Sequence, residues 1–196
     1  MVPHELSSRL SAYAAPDVAL PWLPPAAEAA EAHRWVQLGL LQVVVGRVVV
    51  AADVEVDLPV RARALRLLVP PGCVVLGSAA AWLHVGGRAV LPLPLARPGG
   101  PARIPRRGRG GTVSMSAAVP PPEDVLDVHG VQVTTPARTA VDVARSCEAG
   151  PATALVRRLL DLGLEAAAVE EQLQAMRGSR NVRSARAVLD AAGALR

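Results

Sequence analysis

Residues 26–40 are dominated by Ala, Glu and Leu with Gly39 as a stop, and this pattern predicts a helix. A shorter helix is predicted upstream over residues 4–13, and the Pro-rich run 16–25 between the two predicts no regular structure. In LLQVVVGRVVVAAD, residues 40–53, two β-branched runs flank Gly46-Arg47, which predicts a tight hairpin. Helix, helix and hairpin is the order of a winged helix-turn-helix, an order that many small folds share.

A helix is predicted over 59–69, with Arg61, Arg63 and Arg66 set against Leu65, Leu67 and Leu68, and Pro70-Pro71-Gly72 ends it. Ser78 is a candidate N-cap for a short helix that stops at Gly86-Gly87. From residue 88 to 133 the pattern becomes short β-type runs, around Val90, Ile104, 112–116, 125–128 and 131–133, divided by Pro and Gly. They predict a small, irregular, mostly antiparallel sheet. The last third predicts helices over 136–147, 151–162, 165–176 and 181–195, with Pro136 and Pro151 in first turns, where a missing N–H costs nothing. The expected fold is α+β: a degenerate winged-helix-like domain over 1–57, then a domain over 58–196 in which a small antiparallel sheet packs with a helical bundle.

With 196 residues, 51% of them hydrophobic, the chain can bury a sizeable core. Aromatics are 2% and Phe is absent, so that core is built from Ala, Val and Leu, and recognition of RNA by base stacking is disfavoured. All 21 basic residues are Arg. Without Lys there is no standard P-loop, no pyridoxal Schiff base and no Lys-assisted nuclease site. Such a replacement, alongside so much Ala, Val, Gly and Pro, is what a GC-rich genome writes. The charge is uneven: between Asp57 and Glu123 there are nine Arg and no acid, while the flanks share the other 12 Arg with all 17 acids. A basic centre between acidic ends points to an anionic partner such as DNA, or to an acidic protein surface.

Cys73 and Cys147 lie in apolar surroundings with no metal spacing, and a reduced, buried pair is expected. The N-terminus lacks a signal peptide's pattern, and the most apolar run, 38–52, is too short and interrupted to cross a membrane. A cytoplasmic protein is expected. His4, His33, His84 and His129 fall in four different predicted elements, and HExxH, CxxC and GxSxG are all absent. Asp124 and Asp127 read as a solvated turn ahead of a metal pair, and Glu170-Glu171 as a helix surface pair. No enzyme, metal or cofactor is expected.

Two stretches stand out. In RRGRGG, residues 106–111, Gly lets an Arg-Gly-Arg backbone sit against an A·T minor groove while both guanidiniums enter it, as AT-hook peptides do. The segment also reads as a plain basic loop of a hairpin between Ile104 and Val113. In VTTPARTAVDVARSC, residues 133–147, Thr135 caps a helix opened by Pro136, and Arg138, Asp142 and Arg145 form an i, i+4, i+3 ladder, first of all a structural device.

That second stretch, with DVLDVHGVQ before it, resembles the abortive-infection type IV antitoxin family of AbiEi-like proteins, especially the actinobacterial branch. The family pattern is a valine-rich strand followed by G-x-x-V-T-T/S-P-x-R-T-x-x-D-L-A-R. GLLQVVVGRVVV, residues 39–50, is similar to the family's wing. Residues 59–87 are similar to its helix, Pro-Gly turn and A-A-x-L-H-G helix, with Trp82, Leu83 and His84 in place. The resemblance covers residues 26–193. It implies an N-terminal winged helix that binds promoter DNA and a C-terminal part that supports repression or antagonises a nucleotidyltransferase-type toxin. Many actinobacterial relatives add an endonuclease-like domain. This chain stops at Arg196, about where that domain begins, and has no Lys for its site, so no nuclease activity is expected.

The expected recognition helix departs from a DNA-reading one, since it carries Glu28 and Glu31 with only Arg34 basic, and the wing keeps only Arg47. Phosphate neutralisation then falls largely to Arg103, Arg106, Arg107 and Arg109. The expected function is a non-catalytic transcriptional regulator of antitoxin type that binds double-stranded DNA and has a cognate toxin as a possible partner. The alternative is a protein-interaction module that neutralises or scaffolds a partner without reading DNA.

Overall fold

The computed structural model describes residues 14–15, 18–99 and 112–195. The chain forms two compact units, residues 1–68 and 69–196.

In the first unit, β1 (Ala14–Ala15) and β2 (Val18–Ala19) pair antiparallel. A 3-10 turn (Ala26–Glu28) leads into α1 (Ala29–Gln37), which stops before Gly39 at φ +70°. The hairpin expected from the β-branched runs is present as β3 (Leu41–Val45) and β4 (Val48–Ala51), with Gly46 at φ +59° in its turn and a register shift between Val43 and Val45. α1 buries Ala32 and Trp35, and Trp35 packs with Leu41, Val49 and Trp22. The Gln42 amide holds the hairpin's exit, donating to the Val54 carbonyl at 2.6 Å and the Ala52 carbonyl at 3.2 Å. α2 (Leu58–Leu68) follows, its first turn capped by Asp57 Oδ1, which accepts the Val60 N–H at 2.9 Å. By its packing α2 belongs to this unit, whereas the sequence pattern divides the chain after residue 57.

The Pro-rich run is more ordered than its composition implies. β2 lies within it, Pro21 follows that strand without falling inside it, and the Trp22 N–H and carbonyl bond both ways with Val49, at 2.8 and 2.9 Å. The helix expected over 4–13 lies outside the described residues.

The second unit is built on a five-stranded sheet of order β7-β6-β5-β9-β8, from β5 (Val74–Val75), β6 (Leu93–Ala96), β7 (Val113–Met115), β8 (Val125–Val128) and β9 (Val131–Thr134). The sheet is mixed, not mostly antiparallel: β5 pairs parallel with β9 and β6 parallel with β7, while β5–β6 and β8–β9 are antiparallel. Val90 is exposed and outside any strand, and Leu93 and Leu95 are the fully buried residues that make the strand there. α3 (Gly77–Val85) starts from the Leu76 carbonyl, which accepts from Ala79 and Ala80, so Ser78 lies inside the first turn and is not the N-cap.

The remaining helices fall where the pattern puts them: α4 (Pro136–Ser146), α5 (Ala149–Asp161), α6 (Ala166–Ala175) and α7 (Val182–Ala192). α4 is central and packs on α3, α5, α6 and α7. Its buried residues are Ala140, Val141, Val143 and Ala144, with Arg138 and Thr139. With no Phe in the chain, these small side chains let neighbouring helices approach closely enough to fill the interior.

α4 begins on the expected cap, since Thr135 Oγ1 accepts the Arg138 N–H at 3.2 Å and Pro136 occupies the first turn. Thr135→Ala should lower the unfolding free energy by about 1 kcal/mol and Thr135→Ser by much less. Urea titration reads both, and equal losses would show that the hydroxyl is not what caps this helix.

Candidate functional site

Arg34 and Arg47, the two candidate DNA contacts of the first unit, are both exposed. Arg34 sits in the last turn of α1, on a solvent face that also shows Glu31, His33 and Gln37. That face carries one acid against one base, which is the charge balance its sequence implied. Arg47, in the hairpin turn, is committed to the fold as well, because its Nη2 donates to the Pro24 carbonyl at 2.9 Å. A cleft of about 180 Å³ lies there, lined by Ala29, His33, Val36, Val43 and Arg47 among others. Arg103, Arg106, Arg107 and Arg109 lie outside the described residues.

In the second unit the ladder read from α4 exists and extends further than its spacing shows. Arg138 Nε meets Asp142 Oδ2 at 3.0 Å and Arg145 Nη1 meets Asp142 Oδ1 at 3.4 Å. Arg138 Nη1 also donates to Asp124 Oδ2 at 2.6 Å, and the Gln172 amide from α6 donates to the same oxygen at 3.0 Å. Asp124 is buried, so the solvated turn expected around it is found only at exposed Asp127, which accepts from the Gly130 N–H and the Gln132 amide. Asp124 escaped the sequence reading because its partner stands fourteen residues on in another element. Burial raises the Asp142 carboxyl above its ordinary range, against the pull of Arg138 and Arg145. In mild acid the folded state thus holds this proton more tightly than the unfolded chain does. The group's contribution to stability falls as pH rises through that window.

This ladder forms one wall of a cavity of about 540 Å³. Ser78, Pro94, Ser116, Cys147, Arg180 and Asn181 line it as well. Cys73 and Cys147 are both free, but Cys147 is half-buried at the cavity wall, where burial raises its thiol. A second cavity, of about 500 Å³, is mainly apolar, with Leu159, Leu162, Leu164 and His84 in its lining, and Leu162 is 67% exposed at its edge.

The residues around Trp82 and His84 brace the fold. Trp82 Nε1 donates to the Gly87 carbonyl at 3.0 Å, and His84 Nε2 donates to the Thr134 carbonyl at 2.8 Å. Arg158 of α5 donates to the carbonyls of Val85 and Gly86. A Cβ on Gly87, which has φ +87°, would come within 2.7 Å of Arg158 Nη1, so that turn requires glycine. Among the described residues no group of three His, Cys, Asp or Glu could hold a metal ion, and no helix is long and apolar enough to cross a membrane.

Residues 71–191 match the family model of the AbiEi antitoxin C-terminal domain. The match lies in the second unit and runs from the turn before β5 into α7. No curated protein and no solved structure matches the chain.

Proposed function

This chain belongs to the AbiEi antitoxin family, and from that premise we propose that it is the non-catalytic antitoxin of a toxin–antitoxin pair that also binds double-stranded DNA and represses transcription. The observation that carries the reading is the family match over 71–191. The nine Arg between Asp57 and Glu123, with no acid among them, support the DNA part. Arg34 and Arg47 on the winged-helix-like first unit, with Arg103, Arg106, Arg107 and Arg109, are the proposed phosphate contacts. The toxin would be engaged by the second unit, in the cytoplasm.

A mobility shift with DNA upstream of the protein's own reading frame tests this. Binding at low salt that weakens steeply toward physiological salt is the expected result, with a slope reporting several phosphates. No shift at low salt would overturn the DNA part. Co-expression with the neighbouring gene product tests the antitoxin part, which fails if a toxic neighbour is not relieved. The second reading, an interaction module without DNA binding, is favoured by one observation: Glu31 shares the exposed face of α1 with Arg34.

A further inference from the structure

The polar cavity of about 540 Å³ in the second unit has no part in the antitoxin reading. Its volume falls in the range of small-molecule pockets, roughly 300–1,000 Å³. Gly77 and Ser78, at the start of α3, line it together with Arg138, Asp142 and Arg145 of α4. Leu76, Pro94 and Ala118 add apolar surface to the same lining. The cavity therefore offers a charged part and an apolar part, which is the division that orients a small amphiphilic ligand.

Two properties of the lining select the sign of that ligand. The first is an excess of cations: the guanidiniums of Arg138, Arg145 and Arg180 line the cavity against the single carboxylate of Asp142. Counting Asp124 as well, which bonds Arg138, the cations still exceed the acids. Arg145 is held in place, because its Nε donates to the Arg180 carbonyl at 2.8 Å and its Nη1 meets Asp142 Oδ1 at 3.4 Å. Its Nη2 is left without a partner among the described residues. The second property is a set of unused donors. Leu76 stands at the N-cap of α3 and has no side-chain group to bond the first turn. The N–H groups of Gly77 and Ser78 and the Ser78 hydroxyl bond nothing among the described residues. These donors sit at the positive end of the helix dipole and belong to residues of the same cavity as Arg145, so an oxyanion there satisfies both sets together.

We propose that this cavity binds a small aliphatic phosphate monoester, its phosphate held by the Gly77 and Ser78 N–H groups, the Ser78 hydroxyl and the Arg145 guanidinium. A phosphate group presents three terminal oxygens and so accepts from backbone, hydroxyl and guanidinium donors at once, whereas a carboxylate has two. Leu76, Pro94 and Ala118 supply the surface against which the ester's carbon chain packs. No aromatic residue is among the lining residues described, so a base would find nothing to stack on, and the ester is aliphatic and not a nucleotide. This site takes a small ligand and is independent of the DNA contacts proposed above.

Cys147, half-buried in the cavity lining, is a local reporter for the test. Glycerol 3-phosphate at saturation should slow alkylation of Cys147 by iodoacetamide about tenfold in the full chain, read by mass spectrometry against sodium chloride of equal ionic strength. Ser78→Asp places a carboxylate in the first turn of α3, where the helix dipole favours it, so the melting temperature should hold or rise while the protection is lost. Ser78→Ala, which removes only the hydroxyl, should raise the concentration for half-protection about tenfold. A wild-type chain that glycerol 3-phosphate does not protect, or protection that survives in Ser78→Asp, would overturn the site. Should Ser78→Asp melt below the wild type, Ser78→Ala decides, and an unshifted half-protection overturns the site. Malonate protecting as well as glycerol 3-phosphate at equal concentration would overturn the phosphate assignment.

Discussion

Arg138→Ala is expected to cost the protein about 3–5 kcal/mol of stability, the loss typical of removing one partner from a buried ion pair. The side chain is 10% exposed and bonds Asp124 and Asp142, which are 11% and 15% exposed, so its removal leaves two carboxylates desolvated with no cation between them. Gln172 still donates to Asp124 and Arg145 still reaches Asp142, but neither carries charge to both acids. The same substitution loosens the joint between α4, the β8 entry and α6, and removes a side chain from the wall of the 540 Å³ cavity. In a unit of this size the melting temperature should fall on the order of 10–20 °C. Removing the charges together, as Arg138→Met with Asp124→Asn and Asp142→Asn, should recover a large part of that loss, because no buried charge is then orphaned. Differential scanning calorimetry decides the matter. A single Ala variant melting within about 2 °C of the wild type would show that water reaches the ladder and screens it.

The ladder also marks what a linear reading can reach. Arg138, Asp142 and Arg145 share one helix at spacings that bring side chains together, so their mutual bonds follow from the sequence. Asp124 and Gln172 join through tertiary packing, and nothing in local spacing points to them. The same division runs through the fold. The hairpin at Gly46-Arg47 and the start of α4 at Thr135-Pro136 depend on nearest neighbours, and both are where the pattern puts them. β5 is two residues long, too short to show an alternation. The parallel pairings of β5 with β9 and β6 with β7 join segments far apart in the chain. Ser78 misleads for a related reason: Gly77, at φ +48°, takes a backbone that few other residues adopt, and the helix starts before the better capping residue. At the candidate site the exposure of Arg34 and Arg47 was legible. That Arg47 would be spent on the Pro24 carbonyl was not, because the bond spans 23 positions.

Arg106→Ala/Arg107→Ala/Arg109→Ala is expected to weaken DNA binding at least about a hundredfold near physiological salt, because three guanidinium contacts to phosphate or the minor-groove floor are removed together. The size follows from number and type: each lost phosphate contact also lowers the count of released counterions, so the loss grows as salt falls. Stability should hardly change, since residues 106–111 contain only Arg and Gly and offer no apolar side chain to a core. Mobility shift and thermal melting separate the outcomes. Lost binding with an unchanged melting temperature makes these arginines a DNA contact, and lost binding with a lowered one makes them structural. Unchanged binding would sink the proposal for this segment. The contact would then have to come from Arg34 and Arg47. Both make weak substitutes, because Arg34 shares its face with Glu31 and Arg47 already donates to the Pro24 carbonyl.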